Sequence, residues 1–439
     1  MSAVSEKSIE PATAGSVEYA RQHMDADTKA LVTKLVGEDG LDKFLASGRV
    51  DGTVFKYIAD AHDHNRYIVA EFKHIFADMI IAAAPQADQR TLSVTAKVQP
   101  DVYISPAAAA AAALIDKKCP SPRDGTELTE DNVPRDDGGM ELYLFELWTV
   151  FLHAVKIVPY DNPLQYELMG FLRSLGSKSR GTVRVWEKEF NLWTDFPLLG
   201  AVEREEWIHL KAHDVVRCME QGHRDRLDDE RRRFALYEQQ WISFSTFQAR
   251  RIATDPEAGF GWLLYGFIDT AQAVEKPPPP QPDGPDDVIG ATHQRAFACA
   301  VRVACHWMLL TGGKLYRWTI RDIDDNLDNG TARFCDEMSL RMMRKNMYEL
   351  YVTSGGTETG KHGPRWLFWQ KRFETLGSSD ASDPNSGTRL GLDDDLRTVA
   401  RLTAERMVGY QAQVDAELSG KAEKAEKAEK AEKAKGANE

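Results

Sequence analysis

Residues 141 to 175 read ELYLFELWTVFLHAVKIVPYDNPLQYELMGFLRSL. Leu144, Trp148, Phe151, Leu152, Val155 and Val158 recur at three- and four-residue steps, which places them on one face of a helix. Pro159 ends that helix, because its ring clashes with the preceding turn and it lacks an N–H. A second helix then begins. Asn162 is suited to cap it, Pro163 to its first position, and Gln165 stands where a capping box wants Glu or Gln. Leu164, Leu168, Phe171, Leu172 and Leu175 form its apolar face, and Gly176 is placed as a C-cap. Two apolar faces joined by so short a corner must bury against each other or a third helix, which points to a helical bundle.

Outward from this hairpin, helical periodicity dominates. Thr53 to Ala84 predicts a long helix ended by Pro85. Further helices are expected over 198–219, 234–253, 255–274, 331–352, 364–376 and 392–418. His293 to Leu310 predicts another, closed by Gly312 and Gly313. The aromatic-rich stretch 177–200 is expected as an ordered loop or short helices. The alanine run 107–113 favours helix but specifies no partner, and reads as a low-complexity insertion. The expected organisation is a disordered start (1–15), an N-terminal helical region (16–116), a linker (117–139) and a main helical domain (140–418). That domain carries a Pro-rich insertion at 277–285 and a disordered one at 377–391. The Lys-Ala-Glu repeats of 419–439 allow a solvated helix with no apolar face to dock.

Three segments beyond the hairpin carry a resemblance: DFPLLG (195–200) after Trp186, WISFSTFQAR (241–250) and GFGWLLY (259–265). With GPRWLFWQKRF (363–373) and the last helix, Leu396 to Tyr410, the pattern resembles an uncharacterised family of fungal proteins catalogued as a domain of unknown function. It extends over roughly residues 140 to 412, about two thirds of the chain. The resemblance implies an all-helical intracellular protein and supplies no catalytic residues.

With 42% hydrophobic residues the chain has ample material for a core, and its formal charge is −13. So acidic a surface disfavours nucleic acid and anionic membranes as partners. The N-terminus lacks the basic start and apolar core of a secretory signal, and no run approaches the roughly 18–20 apolar residues of a membrane span. Five cysteines, odd in number and irregularly spaced, fit reduced thiols in the cytosol or nucleus, and the cytoplasm is the expected location.

Three constellations carry possible chemistry. Asp324, Asp325 and Asp328 form a D-D-x-x-D pattern like the Mg²⁺-binding motif of helical isoprenoid synthases. It follows a helix end in a polar stretch, however, and no second metal motif follows it. Read as a calcium loop, the same segment puts Leu327 where an oxygen ligand is required. Glu-x-x-His occurs at Glu71/His74, Glu206/His209 and Glu220/His223. Two such motifs plus lone glutamates, of which Glu146 could be one, make a di-metal centre in helical bundles. His209 and His213 could offer a two-histidine zinc face but lack the glutamate between them. Nucleophilic chemistry has no support: no Gly-x-Ser-x-Gly elbow or P-loop is present, and the neighbours Cys305 and His306 point about 100° apart on a helix. An aromatic-lined cavity around Trp148, Trp186 and Trp262 for a small apolar ligand is a further reading.

The sequence therefore predicts an all-α, irregular multi-helix bundle with disordered termini and insertions. The leading functional expectation is a non-catalytic cytoplasmic protein acting through protein–protein contacts, with no cofactor or catalytic residue assigned. The alternative is a metal-dependent helical enzyme, of di-metal carboxylate or isoprenoid-synthase type.

Overall fold

The computed structural model describes residues 68–84, 104–120, 139–209, 227–254, 260–320, 349–353 and 363–436, with 179, 187, 285, 286 and 381 excepted. Among these residues the chain forms eleven helices and one two-stranded antiparallel sheet, an all-α fold as expected. In chain order the elements are α1 (Ile68–Ala83), α2 (Pro106–Lys118), α3 (Gly139–Ile157), α4 (Leu164–Gly176), β1 (Thr182–Val185), β2 (Lys188–Asn191) and α5 (Leu199–His209). They continue as α6 (Leu227–Thr254), α7 (Phe260–Glu275), α8 (Val288–Ile320), α9 (Glu349–Thr353), α10 (Gly363–Leu376) and α11 (Asp394–Gly436).

Two compact units divide the chain. The first comprises Met1–Ser93, Gln99–Lys211 and Gln239–Phe247; the second comprises Val94–Val98, Ala212–Glu238 and Gln248–Glu439. Helix α6 thus gives its middle to the first unit and both ends to the second.

In the first unit, α1 packs on α2, α3 and α4, and α2 packs on α4. Residues 121–138 of the expected linker lie outside the described residues. The described helices on either side of it, α1 and α2 before and α3 and α4 after, pack in one unit. Phe76 meets Phe171 edge-on at 5.0 Å, and Phe151 lies 5.8 Å from Phe247. The alanine run is a packed helix, not an idle insertion: Ala108, Ala111 and Ala112 are buried, small enough for close helix approach. Ser105 caps it by accepting the N–H of Ala108 at 3.0 Å, with Pro106 at the first helical position.

The corner between α3 and α4 is built partly as its sequence suggests. The Asn162 side chain accepts the Leu164 N–H at 3.0 Å. Gln165, fully buried, makes no capping box. Its Nε2 instead donates to the Val155 and Val158 carbonyls, at 3.0 and 2.6 Å, satisfying the orphan end of α3. Gly176 is the last residue of α4, and its use is steric: a Cβ there would stand 2.9 Å from the Phe196 ring.

The stretch expected as a loop or short helices contains the hairpin β1–β2, in the register Thr182↔Asn191 to Val185↔Lys188. Val183 and Val185 point inward while Thr182, Arg184 and Trp186 are exposed, the period-two alternation of a half-buried strand. Beyond it the backbone enters the left-handed region at Trp193, Phe196 and Leu198. Such φ values cost non-glycine residues roughly 1–3 kcal/mol each. Burial of the side chains holds them: Trp193 is completely buried, meets Trp148 edge-on at 6.4 Å, and donates its indole N–H to Asp116 at 2.8 Å.

In the second unit α8 packs on α7 and α11, and α10 packs on α7 and α11. Val301, Val303, Ala304, Cys305 and Met308 of α8 are buried, as are Leu396, Ala400, Thr403, Ala404, Met407 and Val414 of α11. Gly312 and Gly313 do not end the helix, which runs on to Ile320. Gly312 forms a notch for Tyr410, whose ring would lie 2.6 Å from a Cβ at that position and whose hydroxyl donates to the Leu309 carbonyl at 2.6 Å. By length and composition, Val288–Arg317 could cross a membrane, but 67% of its most apolar window is buried inside the protein. Residues 377–391, expected to be disordered, form a succession of turns with Ser386 fully buried and Asp380 and Asp383 accepting nearby N–H groups. Helix α11 continues through the Lys-Ala-Glu repeats, where Lys424 and Lys427 are exposed. The segments 1–48, 53–67, 210–226, 321–348 and 354–362 lie outside the described residues.

Candidate functional site

The metal ligands suggested by sequence do not come together where the structure describes them. Glu71 is exposed on α1 and ion-paired with Lys118. His74 acts electrostatically on Asp78, one turn away. Glu206 is bound to Lys156 at 2.6 Å, and Glu146 lies half-buried on α3. The side chain of His209, together with His213, Glu220, His223, Asp324, Asp325 and Asp328, lies outside the described residues. Among the described residues no three of His, Cys, Asp or Glu are grouped to hold a metal ion.

Cys305 and His306 look into different surroundings. Cys305 bonds to Thr403, and burial pushes its thiol up to about 12. His306 is held neutral by burial and by the charges of Arg302 and Arg250. His153 is pushed down to about 4 by burial, Lys156 and Lys73. None of these groups is poised for acid–base chemistry near neutrality. Trp148 and Trp186, in the first unit, do not line a common cavity. Trp148 is a core residue, its indole donating to the Pro197 carbonyl at 2.8 Å, whereas Trp186 is 59% exposed. Trp262 belongs to the second unit and stacks on Tyr265.

Two arrangements went unread in the sequence. The first is a sealed ionic cluster in the second unit. Glu275, the last residue of α7, is completely buried and receives Nε and Nη2 of Arg365 at 2.5 and 2.8 Å, a two-pronged pairing. The Trp369 indole N–H donates to the same carboxylate at 2.6 Å. The guanidinium lies over the rings of Phe267, Tyr351 and Trp369, at 4.7, 5.4 and 5.6 Å. Every charge is compensated and closed off from solvent, so the cluster locks α7, α9 and α10 together and offers nothing to a substrate. The quoted segment GPRWLFWQKRF held Arg365 and Trp369, but no local pattern tied them to Glu275, 90 residues away.

The second is an apolar face on the first unit. The N–H of Trp186, at the tip of the β1–β2 hairpin, donates to Oε1 of Glu141 at 3.0 Å. This pins the tip beside the first turn of α3, where Leu142 is 56% and Phe145 48% exposed. Leu142 and Phe145 are one turn apart, flanked by Glu141 and Glu146. Trp186 adopts φ 49°, a left-handed value, with its indole turned outward. Three large apolar side chains are therefore exposed on α3 and on the hairpin tip bonded to it.

A scan against protein-family models matches residues 148–373 to the family described as "Protein of unknown function (DUF3632)". No curated protein and no solved structure matches the chain. The matched span starts inside α3, ends inside α10 and takes in Trp186, Glu275, Arg365 and Trp369. It covers more than half of the 439 residues, and the chain belongs to the DUF3632 family.

Proposed function

We propose that the protein is a non-catalytic helical protein that acts through protein contacts, made by the face of Leu142, Phe145 and Trp186. The observation that carries this reading is the exposure of these three side chains on backbone fixed by helix α3 and by the Trp186–Glu141 bond. Exposed aromatic anchors on a prearranged scaffold are the residues that dominate the energetics of protein interfaces. The occupant that fits is an amphipathic helix of a partner protein lying along α3. Its apolar stripe would meet Leu142 and Phe145, and basic residues beside that stripe would face Glu141 and Glu146. Arg184 and Glu189 stand opposite each other across the hairpin and offset one another. Buried free thiols at Cys119, Cys299 and Cys305 support a cytoplasmic setting, and the resemblance noted from sequence supports a fungal source.

The test is affinity capture from the native source in mild salt, with wild type and with the Phe145→Ser/Trp186→Ala double variant. Both side chains are exposed, so the variant should keep the wild-type melting temperature and lose the captured partner. Recovery of the same proteins by both forms would defeat the reading. Native mass spectrometry tests it from the other side: a stoichiometric mass excess of one or two metal ions would favour the metal-enzyme alternative.

A further inference from the structure

Arg372 differs from its neighbour Arg365 in one respect that points outward. The two lie seven residues apart on α10, two turns along the same face. Both are buried, at 7% and 5% exposure. Arg365 gives the edge formed by Nε and Nη2 to the carboxylate of Glu275. The same two atoms of Arg372 are closed to solvent and have no hydrogen-bond partner among the described residues. A guanidinium shielded from water without a bonded counter-charge is costly. Asp383 is the acidic group whose charge acts on Arg372, and burial outweighs it, lowering the guanidinium from its usual range. Asp383 makes no hydrogen bond to Arg372; its Oδ1 accepts the N–H of Asn385 at 2.8 Å.

The loop that carries Asp383 folds back over the end of α10. Its returning turns bond there, Gly387 N–H to the Thr375 carbonyl at 3.2 Å and Thr388 N–H to the Ser378 carbonyl at 3.4 Å. The Thr388 hydroxyl in these turns is likewise buried without a partner among the described residues. The loop that carries Asp383 and the end of α10 that carries Arg372 thus hold two buried polar groups without partners among the described residues.

We propose that Arg372 anchors a binding site for a small oxyanion, a carboxylate or phosphate group gripped by Nε and Nη2 as Arg365 grips Glu275. The anion takes over the role of counter-charge that Asp383 plays through space. This site is independent of the apolar face on the first unit.

The experiment is calorimetric titration of the full chain with inorganic phosphate and, separately, with succinate, at constant ionic strength held by chloride. Saturable binding of one of the two is expected, and which one identifies the group. Arg372→Lys keeps the charge but loses the fork, and should weaken binding about ten-fold or more. Asp383→Asn leaves Arg372 intact and removes the competing charge, so it should tighten binding several-fold. This second variant keeps the test decisive if Arg372→Lys fails to fold. No saturable binding in either wild type or Asp383→Asn overturns the proposal. So does Arg372→Lys binding as tightly as wild type. Loss of stability in Asp383→Asn without anion binding would make Asp383 the counter-charge of Arg372 and overturn it equally.

Discussion

Glu275 and Arg365 illustrate how a single charged pair inside an apolar unit makes each partner depend on the other. Glu275→Ala would take from Arg365, buried among three rings, the carboxylate that it grips with two atoms, and removal of one member of a buried pair costs about 3–5 kcal/mol. Chemical denaturation should show a midpoint lowered accordingly. The paired replacement Glu275→Leu/Arg365→Met removes both charges together and should lie closer to wild type than Glu275→Ala does. An equal loss in both variants would mean that ring packing around Arg365, rather than the ion pair, holds the cluster. Little of this was legible residue by residue. A glutamate at a helix end followed by Lys276 and Pro277 reads as solvated, and only the folded chain places Phe267, Tyr351 and Trp369 around its partner.

At the scale of the element, the sequence was most legible where one period ran uninterrupted. The α3–α4 hairpin, its Pro159 stop and its Asn162 cap could be read directly, because they depend on neighbours within a turn. The β1–β2 hairpin was missed although TVRVW alternates with period two, because four residues are too short a run to stand out from an aromatic-rich loop. The glycines of α8 were misread because glycine has two uses, ending a helix and admitting a neighbour, which one sequence does not separate. The two can be separated by substitution. Gly312→Ala drives a methyl to 2.6 Å from the Tyr410 ring, which is anchored by its hydroxyl, and should lower the melting temperature. Gly313→Ala meets that ring no closer than 3.5 Å, and should instead raise stability by up to about 1 kcal/mol through helix propensity. Opposite signs at adjacent positions are the expected result, and two stabilising substitutions would show that no notch exists at Gly312.

For the whole molecule, the division into units follows space rather than chain order. The first unit takes Gln239–Phe247 from the middle of α6, including Trp241, Phe244 and Phe247, all buried. A fragment of residues 68–211 therefore lacks part of its own core, and should give a weak, non-cooperative thermal transition by circular dichroism, whereas 68–436 should melt cooperatively. A sharp transition in the shorter fragment would show that α6 is dispensable to the unit. No linker-like composition announces this arrangement, since the segment that joins the unit from afar is simply another amphipathic helix. Its consequence is one of timing during synthesis. Phe247 leaves the ribosome 36 residues after Lys211, a delay of roughly 2–7 s at 5–20 residues per second. Throughout that interval the Phe151 side of the nascent first unit is uncovered, which makes it a substrate for chaperones that hold exposed apolar surface until the missing piece arrives.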